Sequence, residues 1–180
     1  MKKISLLLAL IFVMVSCEGE RGPVGPVGPM GETGDALLGT ILEIEGDFTA
    51  ENGYSFLYEF PPSEVEVFES DVVQVYLLEE VIQDNGESVD VWTPLPNSFF
   101  FDGGNQLVYN YNHTYFDVNI FLDGNVDFRS FTDAEANAYL FNQVFRIAII
   151  PAAYAENNPD LNSYEALMQA MPDAKVLKVK

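Results

Sequence analysis

Apolar and polar residues alternate with a period of two through much of the chain beyond residue 37. This is the pattern of β-strands that bury one face. The run 54–60 places an aromatic ring at every second position, and the runs 107–112 and 116–122 alternate in the same way. The inward-facing positions of these runs are Tyr54, Phe56, Tyr58, Phe60, Leu107, Tyr109, Tyr111, Phe116, Val118, Ile120 and Leu122.

Two further runs, 72–82 and 144–150, are apolar at nearly every position. Strands that are covered on both faces have this composition, so both runs are predicted to lie in the middle of a sheet. Asn85-Gly86 favours a tight hairpin between 72–82 and a strand at 88–93. A last strand is predicted at 176–180.

Helical signals are brief. Thr132 and Glu135 have the spacing of a capping box and precede a short helix that extends to residue 140. Asn162 and Glu165 have the same spacing before a second helix, which Pro172 ends. With about eight short strands, residues 37–180 are predicted to form one all-β domain, an antiparallel β-sandwich with one or two short helices, and a barrel is the second choice.

Residues 1–16 have the organisation of an export signal. Two lysines precede an apolar run from Ile4 to Val15, and Ser16 stands directly before Cys17. The run is shorter than the roughly 20 residues that a spanning helix needs, so it is interpreted as a removable signal peptide. Cys17 is the single cysteine, and a disulfide within the chain is therefore impossible.

Residues 17–36 contain six consecutive Gly-X-Y triplets, which begin at Gly19, Gly22, Gly25, Gly28, Gly31 and Gly34. Glycine at every third position is the requirement of the collagen triple helix. Six triplets with three prolines would make only a short triple helix. A monomeric polyproline II spacer, of about 3.1 Å per residue, is therefore preferred, and a homotrimeric stalk is the alternative.

The residues before Cys17 resemble the bacterial lipoprotein signal, and the order of lipidated cysteine, triplets and β-rich domain resembles the bacterial collagen-like lipoproteins. The resemblance implies lipidation of Cys17, cleavage before it, and attachment to a Gram-negative cell envelope, most often at the outer membrane. It supplies no catalytic residues. A plain secretory leader with an incidental cysteine is the alternative interpretation.

The formal net charge is −20. A surface this acidic repels nucleic acid and anionic lipid, and both are excluded as expected partners. A weak calcium site is considered at Asp123, Asn125 and Asp127, and a second one between Asp84 and Asp90, because clustered oxygen ligands suit a hard cation. No other cofactor is indicated, and ordinary β-turns explain the same residues.

The remaining candidates for chemistry are few. His113 is the single histidine and is expected at the surface between two strands. Arg146 lies between two apolar residues and is expected to pair with a carboxylate. A carbohydrate platform is weighed against core packing, which is preferred, for the aromatic residues Trp92, Phe99, Phe100, Phe101, Tyr109, Tyr111 and Tyr115.

These observations favour a non-enzymatic, lipid-anchored envelope protein that displays a binding or structural domain. Its partner would be an envelope protein, a surface polysaccharide or a neighbouring copy. The alternatives are a tethered glycan hydrolase that uses a carboxylate pair and a trimeric adhesin on a collagen stalk.

Overall fold

A computed structural model describes residues 39–156 and 163–179, all of which belong to one compact unit within Thr33–Lys180. The leader 1–16, Cys17, the spacer 17–36, Asn162 and Lys180 lie outside the described residues. The strands are β1 (Thr40–Gly46), β2 (Ser55–Glu59), β3 (Val72–Asp84), β4 (Glu87–Pro94), β5 (Asn97–Phe101), β6 (Asn105–His113), β7 (Asp117–Gly124), β8 (Gln143–Ile150) and β9 (Lys175–Lys178). The helices are α1 (Asp133–Tyr139), α2 (Ala152–Ala155) and α3 (Tyr164–Ala170).

The strands form two sheets that pack face to face, so the predicted all-β sandwich is confirmed. The five-stranded sheet has the order β4-β3-β8-β1-β9, and the four-stranded sheet has the order β2-β7-β6-β5. Neighbouring strands are antiparallel except β1 and β9, which pair in parallel. Antiparallel pairing therefore describes most of the sandwich, and the parallel contact is confined to the last strand.

The core between the sheets is aromatic. Phe48 is fully buried, and its ring lies 5.2 Å from that of Phe56, 5.7 Å from that of Tyr109 and 6.1 Å from that of Phe145, measured between centroids. Helix α1 and the residue after it pack against this core, and the Phe48 amide donates a hydrogen bond to the Leu140 carbonyl. Burial of these large side chains is the main stabilising contribution.

A second, smaller core lies on the outer side of the five-stranded sheet. Leu167 and Met171 at helix α3 pack on Ile41, Tyr76 and other buried side chains of the sheet. Ser163 is the N-cap of α3, because its Oγ accepts a hydrogen bond from the Ala166 amide. The predicted helix is therefore confirmed, while the expected cap at Asn162 is wrong: the serine one residue later can reach the free amides.

Strand β8 occupies the middle of its sheet, as its composition predicts, with both faces covered. Strand β3 is central only in its first half. Residues 79–84 are exposed and continue beyond β8 as a hairpin with β4, with Asn85 and Gly86 in left-handed conformations at the turn. Burial of both faces along the whole of 72–82 is thus wrong, because the second half projects past β8 as a two-stranded hairpin and both of its faces are exposed among the described residues.

The chain enters the sandwich at one end, and the β3–β4 hairpin projects from the other. Thr40 pairs with Ile149 and Val72 pairs with Ile150, so β1 and β3 begin at the same end of the sheet. From Val72 to Asp84 an extended strand rises about 3.3 Å per residue, so the hairpin tip lies roughly 40 Å along the strand direction from the entry point.

The capping box at helix α1 is present as predicted. Thr132 Oγ1 accepts from the Glu135 amide, and Glu135 accepts from the Thr132 amide and hydroxyl. These bonds, first the one from the backbone amide, hold the pKa of Glu135 below its ordinary value.

Replacing Thr132 by alanine is expected to lower the free energy of unfolding by about 1 kcal/mol, because a first-turn amide loses its acceptor. Urea unfolding of the two chains measures the difference. Thr132→Ser keeps the hydroxyl and serves as the control. An alanine variant as stable as the serine variant would contradict the expectation.

Candidate functional site

The most polar cluster in the described residues crosses the outer side of the five-stranded sheet as one row. Glu43 of β1 lies opposite Arg146 of β8 on one side and Lys178 of β9 on the other. Tyr76 of β3 continues the row next to Arg146. Strand pairing therefore brings side chains that are more than 100 residues apart into contact.

Both oxygens of Glu43 are occupied by cations. Arg146 donates to Oε2 from Nε at 3.0 Å and from Nη2 at 2.8 Å, and Lys178 Nζ lies 2.7 Å from Oε1. Burial by itself raises the pKa of Glu43, but the hydrogen bonds and charges of Lys178 and Arg146 outweigh it and hold this pKa below its ordinary value. The predicted pairing of Arg146 with a carboxylate is confirmed.

The Arg146 guanidinium also lies between two aromatic rings. Its Cζ is 4.0 Å from the centre of the Trp92 ring and 5.0 Å from that of Tyr164, and Nη1 donates to the Tyr164 hydroxyl at 2.7 Å. Asp90 approaches Nη2 at 4.0 Å. The cluster therefore connects the edge strand β4 and helix α3 to Arg146 of strand β8.

A shallow cleft of about 400 Å³ opens beside this cluster, between strand β4 and the start of α3. It is lined by Asp90, Val91, Trp92, Pro94, Ser163, Tyr164 and Glu165. Arg146 uses its hydrogen-bonding groups on Glu43 and Tyr164, within the protein. A carboxyl that acts as a general acid needs a raised pKa, whereas the pKa of Glu43 is lowered. The geometry is that of a structural clamp beside a cleft.

Glu43 and strand β1 were missed from the sequence. The signal was present, because Glu43 stands between Leu42 and Ile44 just as Arg146 stands between Phe145 and Ile147. Two isolated, opposite charges in apolar strands are each costly to bury alone, which favours pairing.

The outer side of the four-stranded sheet presents a different kind of surface, called the amide face below. Its uncharged residues are half-buried or exposed, and they are Ser55, Leu57, Ser98, Phe100, Gln106, Val108, Asn110, Asn112, Asn119 and Phe121. Three acidic residues share this side of the sheet: Glu59 and Asp117 pair at one end, and Asp123 lies opposite Val108. The described basic residues lie on other elements.

The aromatic residues considered for a carbohydrate platform separate into three groups. Tyr109 is fully buried, and Phe99, Phe101 and Tyr111 pack against the inter-sheet core. Core packing is confirmed for these, while Trp92 stacks on Arg146. Two other side chains are exposed, Phe100 by 77% and Tyr115 by 44%.

The residues considered for calcium lie at and after the end of β7, where each stabilises a turn. Asp123 Oδ1 accepts from the Gly124 amide, Asn125 Oδ1 from the Gln106 amide and Asp127 Oδ1 from the Arg129 amide. Within 39–156 and 163–179, no three His, Cys, Asp or Glu side chains are grouped to hold a metal ion. Calcium binding at Asp123, Asn125 and Asp127 stays a prediction.

His113 is the last residue of β6 and is exposed, as expected, with its ring stacked on that of Tyr111. It borders a second cleft, of about 370 Å³, with Phe68, Asp71 and Tyr115. This cleft lies at the end where the chain enters, because Val73 in its wall pairs with Ile149.

Comparison with protein-family models, with curated proteins and with solved structures gave no match to this chain. No helix in the described part of the chain is long and apolar enough to cross a membrane. The function is therefore argued from the chain's own residues.

Proposed function

We propose that this chain is a lipid-anchored protein of the bacterial cell envelope that displays a non-catalytic binding domain on a collagen-like spacer. The leader, Cys17 and the six triplets support the anchor and the spacer. An outer membrane of the Gram-negative type is the proposed location, by resemblance to collagen-like lipoproteins. Two or three acyl chains would hold the protein stably, whereas one would not.

The observation that carries the binding role is the open outer side of the four-stranded sheet. The other sheet is partly covered on its outer side by α3, and Glu43, Arg146 and Lys178 on that side pair with one another. The amide face has no such cover among the described residues, yet it carries the exposed ring of Phe100. Phe100 continues a diagonal of apolar side chains that runs through Val108 and Phe121 to Leu57. A contiguous apolar surface that is exposed on a sheet is typical of a binding site.

A spacer beside a lipid anchor is useful when the domain must reach something away from the bilayer. Eighteen residues of polyproline II would extend about 55 Å. The chain enters the sandwich at Gly39 and the β3–β4 hairpin projects from the opposite end. A reach of that length supports a binding role for the domain that the spacer carries.

Cys17→Ala is expected to move the protein completely from the membrane fraction to the soluble fraction, because the thiol that would be acylated is gone. Fractionation of cells that produce either chain measures this. Cys17 is the single cysteine, so Ser16→Ala is the matched control and should leave the protein in the membrane fraction. Retention of the Cys17→Ala chain in membranes would contradict lipid anchoring.

A non-penetrating protease applied to intact cells then locates the domain. Digestion places the domain on the outer surface and favours an external polymer as its partner. Protection until the outer membrane is permeabilised places it in the periplasm and favours an envelope partner. Turnover of a polysaccharide that one or two carboxylate substitutions abolish would instead support the hydrolase.

A further inference from the structure

We propose that the amide face binds an uncharged polysaccharide. The inference rests on the proposed function in treating the sandwich as the binding part, and it adds the class of ligand and the surface that takes it.

The strand register arranges the amide face as rows of polar and apolar side chains. Phe121 lies between Ser55 on β2 and Asn110 on β6, and the next row contains Leu57, Asn119 and Asn112. Strands lie about 4.8 Å apart, and alternate residues along a strand about 6.7 Å. Hydrogen-bonding groups and apolar side chains therefore alternate at short range, which suits a sugar, because each ring has a C–H face and a hydroxyl rim.

Several polar groups of the amide face remain available to a ligand. The side-chain amides of Asn110 and Asn112 form no hydrogen bond with any residue in 39–156 or 163–179. Each amide can both donate and accept, as hydroxyl groups require.

Other polar groups of this face are held in position by their neighbours. The Ser55 hydroxyl donates to Asn119 Oδ1 at 2.7 Å, which leaves the Asn119 NH₂ group to donate outward. Gln106 Nε2 donates to Ser98 Oγ at 3.1 Å, which leaves Gln106 Oε1 to accept. Groups that are oriented before binding lose less entropy when a ligand arrives.

The aromatic rings supply the apolar half of the recognition. Phe100 lies opposite Gln106 on β6 and is 77% exposed, while Phe99, its neighbour in the chain, points into the core. Phe121 is half-buried among the amides. Rings that flank amide rows give a sugar face an apolar contact beside its hydroxyl partners.

Charge selects the uncharged polysaccharide over other polymers. The amide face has no cation, and Glu59, Asp117 and Asp123 on the same side of the sheet repel anionic chains. Its apolar side chains follow one diagonal across the four strands, from Leu57 through Phe121 and Val108 to Phe100, as a line one side chain wide with polar side chains beside it. A stable protein interface buries a broader apolar centre. A neutral, hydroxyl-rich polymer matches both properties.

Native gel electrophoresis of the full chain, in gels that contain one polysaccharide each, tests the proposal. Galactomannan, xyloglucan and mixed-linkage β-glucan are the uncharged probes, and alginate is the anionic one. We expect at least one uncharged probe to slow migration and alginate to have no effect. If the chain migrates in all three uncharged gels as it does in a gel without polysaccharide, the proposal is overturned. Retardation by alginate alone would also overturn it.

Three variants locate the binding. Phe100→Ala and Asn110→Ala should each weaken retardation at least tenfold, measured as the polysaccharide concentration for half-maximal effect. Phe116→Ala is the control, because Phe116 is 62% exposed but precedes β7 and lies outside the amide face. Thermal unfolding establishes that each variant is folded. Equal losses at Phe100 and Phe116 would overturn the assignment of this face.

Failure of this inference and failure of the proposed function give different results. A chain that leaves the membrane with Cys17→Ala but migrates normally in every gel is an anchored protein without this ligand class. If galactomannan retards the chain but the Cys17→Ala chain stays in membranes, the polysaccharide site is supported and the lipid anchor is refuted.

Discussion

Replacing Phe48 by alanine is expected to lower the free energy of unfolding by about 4 kcal/mol, within the range for large aromatic residues in cores. Phe48 has no exposed surface and contacts the rings of Phe56, Tyr109 and Phe145, so its removal leaves a cavity between the sheets. A domain of this size has a total stability on the order of 10 kcal/mol. Urea unfolding followed by tryptophan fluorescence measures the loss.

Phe100→Ala is the matched control for this substitution. It removes the same side chain from a position that is 77% exposed, and we expect a change within about 0.5 kcal/mol. Comparable losses at Phe48 and Phe100 would contradict the placement of the core between the two sheets.

The second large effect is expected from Glu43→Gln, which leaves Arg146 and Lys178 without their shared counter-charge. Removing one partner of a buried pair costs about 3–5 kcal/mol, and the slight exposure of this pair favours the lower end, near 3 kcal/mol at pH 7. Glu45→Gln is the control, because Glu45 lies two residues along the same strand, on the same face, and is exposed.

The effect of Glu43→Gln should depend on pH in a defined direction. The pKa of Glu43 is lower in the folded chain than in the unfolded one, so the charged form stabilises the fold at neutral pH. This contribution is lost as the pH falls through the lowered, folded-state pKa. The difference in free energy of unfolding between the original chain and the Glu43→Gln chain should therefore be largest at pH 7 and shrink below about pH 4. A constant difference from pH 7 to pH 3 would contradict the ion-pair account.

Local patterns were sufficient for the strands and turns that depend on neighbours in the chain. Asn85-Gly86 supplies the left-handed residues of the β3–β4 turn, and Thr132 and Glu135 form their capping box. The alternation at 116–122 separates Ile120 in the core from Asn119 on the outer side. Each of these features is determined within a few residues.

Features that depend on the order of the strands could not be predicted from the sequence pattern. The place of β1 between β8 and β9 is set by packing, so neither its parallel partner nor the pairing of Glu43 with Arg146 was predicted. Apolar residues such as Val81 and Ile82 predicted burial, but they lie in the exposed part of the β3–β4 hairpin, beyond the residues that pair with β8. Asn110 and Asn112 were recognised as outward-facing, yet only the register places them beside Asn119 and Phe121.

The central position of β1 has a mechanical consequence. The chain enters through β1, and β1 is hydrogen-bonded on both sides, to β8 and to β9. A pulling force at Gly39 that is resisted at the opposite end of the sandwich acts along β1. The hydrogen bonds that join β1 to β8 and β9 lie across this direction. The hydrogen bonds on both sides of β1 must then break together instead of one at a time, so β1 is the strand best placed to carry a pulling load.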